Sequence, residues 1–140
     1  SLTSVGELTG LEVSGISGFS GVKERVNVRT SGESGNVSYD FAAQGVYYHP
    51  SLAGDITINL ANVPTASGVP RAFTIAVIVS QSGSPYKIAN SFGINGSSYT
   101  IKWANASQPS GNASRHDIWN ISMIYDGSSW NVYSSASSFG

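Results

Sequence analysis

Apolar and polar residues alternate along most of this chain with the period of a β-strand. Asp55-Ile56-Thr57-Ile58-Asn59-Leu60 sends Ile56, Ile58 and Leu60 to one face and polar residues to the other. Val37, Tyr39 and Phe41 alternate with Ser38 and Asp40, and Val26 and Val28 with Arg25, Asn27 and Arg29. Residues 45–49 make a short aromatic strand ended by Pro50, and Pro64 ends the strand that begins at Asp55. Residues 72–79 are nearly all apolar, as a strand covered on both faces needs to be. Such a strand is central in its sheet or lies at a subunit contact.

Turn chemistry divides the second half. Asn95-Gly96 separates Phe92-Gly93-Ile94 from Tyr99-Thr100-Ile101-Lys102-Trp103, and both turn residues readily take the positive φ of a tight hairpin. Asp126-Gly127, with Ser128 and Ser129, joins residues 118–125 to 130–133. No ten-residue segment carries a capped helical stripe. About eight short strands at this spacing predict an all-β domain over 23–140, a β-sandwich or jelly-roll-like fold.

The first 22 residues differ. Leu2, Val5, Leu8, Leu11, Val13, Ile16, Phe19 and Val22 recur at steps of mostly three residues, with Gly6, Gly10, Gly15, Gly18 and Gly21 between them. Each interior glycine would cost a helix about 1 kcal/mol relative to alanine. An extended chain with one apolar side chain about every 10 Å has no core of its own. Three such chains around a shared axis would have one. Residues 1–22 are therefore expected to form an extended trimerising stem, with Leu8, Leu11, Val13, Ile16, Phe19 and Val22 at the subunit interface. A flexible Gly/Ser linker is the alternative, although linkers seldom space large apolar residues so regularly.

Composition narrows the function. Only 11% of the 140 residues are charged, against roughly 25% in ordinary soluble domains, so Ser, Thr, Asn and Gln must wet the surface. The formal net charge of −1 provides no field for nucleic acid. The chain has no cysteine, hence no disulfide framework or thiolate metal site. No apolar run approaches the roughly 18 residues that span a bilayer, so no membrane insertion is expected.

Candidate chemistry is sparse. Of the eight carboxylates, Asp40 and Asp117 are the pair open to a glycosidase role. His49 and His116 lack metal-ligand spacing and read as ordinary surface or interface histidines. No Gly-x-Ser-x-Gly occurs, and no glycine-rich run leads into a lysine or a helix. Catalytic residues, metal and cofactor are accordingly all expected to be absent. The Asn-x-Ser triplets at Asn36, Asn95, Asn105, Asn112 and Asn120 read as composition rather than as glycosylation sites.

Aromatic residues offer the one binding hypothesis. Tyr47 and Tyr48 face opposite sides of a strand, so one of them should lie outside the core, whereas Trp103, Trp119 and Trp130 read as interior. The long connection 104–116, rich in Asn and Ser, is of the kind that often contacts a partner. Tyr47, Tyr48, Asn105, Gln108, Asn112 and His116 are the candidate receptor contacts.

Several motifs are familiar. Gly54-Asp55-Ile56-Thr57-Ile58-Asn59-Leu60-Ala61-Asn62-Val63-Pro64-Thr65 resembles a recurrent module of tailed-phage virion proteins. So do Ile94-Asn95-Gly96 leading to Ile101-Lys102-Trp103, and Tyr125-Asp126-Gly127-Ser128-Ser129-Trp130-Asn131-Val132 with terminal Phe139-Gly140. That module occurs in fibre, collar and appendage proteins, particularly of marine phages infecting cyanobacteria and similar hosts. Residues 8–21 are similar to the Gly-punctuated stems that often precede it. The resemblance implies a non-enzymatic virion structural protein, a homotrimer in a tail fibre, collar fibre or head appendage. Its partners would be its own copies, other virion proteins and a host surface glycan or receptor. The alternative function is a glycan- or receptor-binding adhesin tip.

Overall fold

The structure, a computed structural model, describes residues 13–65 and 68–140. It is all-β. Nine strands follow in order: β1 (Val26–Val28), β2 (Glu33–Asp40), β3 (Val46–His49), β4 (Leu52–Ala61), β5 (Arg71–Ser80), β6 (Ile88–Ile94), β7 (Ser97–Trp103), β8 (His116–Tyr125) and β9 (Trp130–Phe139). They form one curled mixed sheet in the order β1-β3-β5-β8-β9-β7-β6-β4-β2.

The first six strands alternate between the two halves of that sheet. Each pairs in parallel with the strand two places away: β1 with β3, β3 with β5, β2 with β4 and β4 with β6. The hairpins expected from turn chemistry are present as β6–β7 and β8–β9. Asn95 (φ 49°) and Gly96 (φ 87°) supply the left-handed pair that the first of these requires. β7 joins the halves, because Ser97 to Thr100 pair with β6 while Ile101 to Trp103 pair with β9.

The curl turns one face of every half inward, as in a sandwich. Ile75, Val77 and Val79 of β5, Trp119, Ile121 and Met123 of β8, and Val132 of β9 meet Ile56, Ile58 and Leu60 of β4. Ile88, Phe92 and Ile94 of β6 complete this cluster with Ile101 of β7. Strand β5, the nearly continuous apolar run, lies inside the sheet between β3 and β8.

Two details depart from the sequence pattern. The first strand begins at Val26, and residues 13–25 form neither strand nor helix. In β1 it is Asn27 that is half-buried, bonded to the Gln44 amide, while Val26 and Val28 point outward. Strand β1 is the edge strand next to β3, and pairing with Tyr47 fixes Asn27 on the inner face. Leu8 and Leu11 lie outside the described residues.

Candidate functional site

The described part of residues 1–22 is solvated. Val13, Ile16, Phe19 and Val22 are all exposed, Phe19 at 68%. The chain then enters β1, whose exposed Val26 and Val28 begin an apolar ladder across the outer face of the sheet. Val28 pairs with Tyr48, Tyr48 with Ile78, and Ile78 with Ile118. A second rung runs from Val26 through Val46 to Ala76. Tyr48, Ile78 and Ile118 remain half-buried, with no element packed over them among the described residues.

The connection 104–115 is exposed at its start and pinned further on. Asn105 sits at its tip with φ 57°, in the 3-10 turn Ala104–Ala106. Gln108 donates its side-chain amide to the Ile88 carbonyl, which covers part of it. Asn112 is exposed as a residue, but its backbone N–H (2.8 Å) and side-chain amide (2.9 Å) both donate to Asp117. Gln81 donates to the same carboxylate at 3.1 Å. A Cβ on Gly111 would collide with the Tyr86 carbonyl oxygen and lie 2.9 Å from Pro85 Cβ, so glycine is required by close approach. His116 is exposed at the start of β8. Asp117 is therefore a buried anchor for this loop. Asp40 accepts from the Ala42 N–H and the Asn62 side chain at the far end of β2, so each member of the suspected carboxylate pair holds its own turn.

Two sequence expectations are overturned at the sandwich interior. Tyr47 is fully buried and cannot meet a receptor. Its ring stacks on Tyr39 at 3.8 Å and 7°, and its hydroxyl donates to the Gln44 carbonyl at 2.6 Å. Burial pushes the Tyr47 phenol up to about 12. His49, read as a surface or interface residue, is also fully buried. It follows Tyr47 on the inner face, where the Tyr39 hydroxyl bonds its Nε2. Its Nδ1 lies 3.0 Å from Glu33 Oε2, close but not aligned as a hydrogen bond, and Glu33 is itself gripped by Arg29 at 2.7 and 3.1 Å.

Burial, the largest influence, lowers the His49 pKa below its usual 6.5, and the neighbouring Arg29 adds to this while Glu33 opposes it. The unfolded chain therefore takes up the proton first. This contribution to stability is complete above about pH 6.5 and is lost as pH falls towards the depressed folded value. Urea unfolding should show less stability at pH 5.5 than at pH 7.5, by at most about 1.4 kcal/mol from this group, and His49→Gln should largely abolish the difference. An equal loss in the variant would place the titration elsewhere.

At the open end of the sandwich the inward row changes from aliphatic to aromatic and cationic. Arg71 pairs with Tyr125, and Tyr125 with Trp130, so the three side chains stand abreast on the inner face of β5, β8 and β9. With Tyr99 of β7, Pro64, Thr65, Ser128 and Ser129 they line a pocket of about 420 Å³. Tyr125 and Trp130 lie 5.3 Å apart, and Trp130 rests on Phe73 at 6.2 Å. Of the three tryptophans read as interior, only Trp119 is fully buried. Trp103 is half-buried, donating to the Asn90 side chain, and Trp130 is half-buried in the pocket wall.

Nothing in the sequence reading selected these pocket residues. The Asp126-Gly127 hairpin does place Tyr125 opposite Trp130, a signal available from the turn alone. The coincidence with Arg71 depends on a pairing across 54 residues, from position 71 to position 125.

Fold and surfaces thus define an all-β domain with a solvated apolar leader, an apolar outer ladder and one aromatic mouth. Comparison of the chain with protein-family models, curated proteins and solved structures finds no match.

Proposed function

We propose that this chain is a non-enzymatic virion structural domain, one subunit of a homotrimeric phage tail fibre, collar fibre or head appendage. The observation that carries the reading is the exposed leader. Val13, Ile16, Phe19 and Val22 are all exposed, Ile16 completely and Val13 about half. Leaving such side chains in water forgoes about 25 cal/mol for every Å² of apolar surface that an assembly would bury. Glycine at 15, 18 and 21 allows three backbones to approach one axis closely.

Lys23, Glu24 and Arg25 separate these leader side chains from the exposed Val26 and Val28, where a second apolar surface begins and runs through Tyr48, Ile78 and Ile118. Contact with other virion proteins and with a host surface belongs to this reading, and so does residence in the extracellular particle.

Sedimentation equilibrium at micromolar concentration should give three times the 14.6 kDa chain mass. Ile16→Asp with Phe19→Asp should return monomers and lower the melting temperature of the assembly, since two charges would have to be desolvated in the stem. A monomeric wild-type chain whose melting is unchanged by deleting residues 1–22 would refute the proposal.

A further inference from the structure

We propose that the aromatic mouth binds a carboxylate-bearing sugar, a hexuronate unit of a surface polysaccharide. Its volume of about 420 Å³ falls within the roughly 300–1,000 Å³ of small-molecule sites. It sits where an inward row of side chains reaches solvent, a common place for ligands in closed sheets. Tyr99, Tyr125 and Trp130 present ring surface on which the C–H face of a pyranose can lie.

The polar groups select the charge. Arg71 has no carboxylate partner among the described residues. Among the described residues it makes only long bonds, to the carbonyls of Val69 (3.3 Å) and Pro64 (3.4 Å), which leaves most of its N–H donors uncommitted there. A guanidinium with a free edge matches a carboxylate in a two-point grip. The adjacent acid, Asp126, is engaged by its own turn. It accepts from the backbone N–H groups of Ser129 and Ser128, which together with their hydroxyls hold its pKa down to about 2. Because Ser128 and Ser129 spend their hydroxyl protons on Asp126, their oxygens are left as acceptors at the pocket rim, suited to the hydroxyl groups of a sugar.

Neither the stem nor the apolar ladder contributes a residue to this site, so it stands independently of trimer formation. Isothermal titration of the full chain with an oligogalacturonate, and with a neutral gluco-oligosaccharide of equal length, tests it. The acidic oligomer should bind at least tenfold more tightly than the neutral one. Arg71→Gln should erase that preference. Trp130→Phe, which keeps an aromatic ring against Phe73, should weaken binding severalfold by shrinking the stacking surface. Arg71→Gln gives up only two long hydrogen bonds at a strand start, so its melting temperature should stay within about 2 °C of the wild-type value. Equal affinity for the two oligomers, no binding at roughly 10 mM, or an unchanged preference in Arg71→Gln would each overturn the assignment. A polyglutamate peptide binding as tightly as the oligogalacturonate would overturn the sugar in favour of a protein ligand.

Discussion

Tyr39→Ala should destabilise the domain by about 4–5 kcal/mol, because it removes the contact that holds the two ends of the curled sheet together. Strand β2 ends one side of the strand order, and β1 and β3 end the other. Tyr39 lies on β2, buried, stacked on Tyr47 of β3 and bonded to His49 of the same strand. Truncating a buried aromatic costs about 3–5 kcal/mol, and an aromatic pair adds about 0.5–1.5 beyond area. The Arg29 guanidinium, 5.3 Å from the Tyr39 ring centre, also loses its aromatic neighbour. The melting midpoint should fall by roughly 15 °C. Tyr39→Phe separates the parts: it keeps the stack, leaves His49 Nε2 without its hydrogen-bond partner, and should cost about 1–2 kcal/mol. If the alanine variant lost no more than the phenylalanine one, the stack would not be what closes the sandwich.

The second large effect is expected at Asp117, buried near the opposite end of β8 from the aromatic mouth. Its Oδ2 accepts from Gln81 and from the Asn112 backbone, and its Oδ1 from the Asn112 side chain. Hydrogen bonds to a charged acceptor are worth about 1.5–3 kcal/mol each, and water entering the vacated space recovers part of that. Asp117→Ala should therefore cost about 3–4 kcal/mol. Asp117→Asn should cost about half as much, since it keeps one acceptor oxygen but turns an NH₂ towards groups that donate to the wild-type carboxylate. Hydrogen exchange supplies the local readout. The Asn112 amide should lose its protection in both variants, while Trp119, two residues further along β8, keeps its own in Asp117→Asn. Continued protection at Asn112 would mean that the loop is held by something other than this carboxylate. The side chain that sequence alone offered as half of a catalytic pair is thereby given a load to carry in the fold, and the loop suspected of touching a receptor is fastened at its far end.

Much of the architecture could be read from residues close in sequence. The alternation at residues 55–60 became β4 with Ile56, Ile58 and Leu60 inward, and Asn95-Gly96 became a tight hairpin. The unbroken apolar run of 72–79 became the interior strand β5. Polar residues on the inner face were harder. Period two assigns Tyr47 and Tyr48 to opposite faces but does not say which is which, and the inward Asn27, His49 and Asp117 find partners at Gln44, Tyr39 and Gln81 that only the folded sheet brings near. The mouth was hidden for the same reason, since Arg71 meets Tyr125 and Trp130 only once β5 and β8 are paired.

The sequence by itself determined that this chain is all-β, where the centres of most strands and two hairpin turns fall, and that its leading residues carry regularly spaced apolar groups. These follow from side-chain periodicity and turn chemistry, which act over a few residues. Tertiary structure alone decided that the first six strands interleave between two halves, that His49 and Asp117 are buried, and that an arginine stands beside two aromatic rings at an open end. Each depends on which strands lie side by side, and that is settled by how the whole set of inward faces best escapes water.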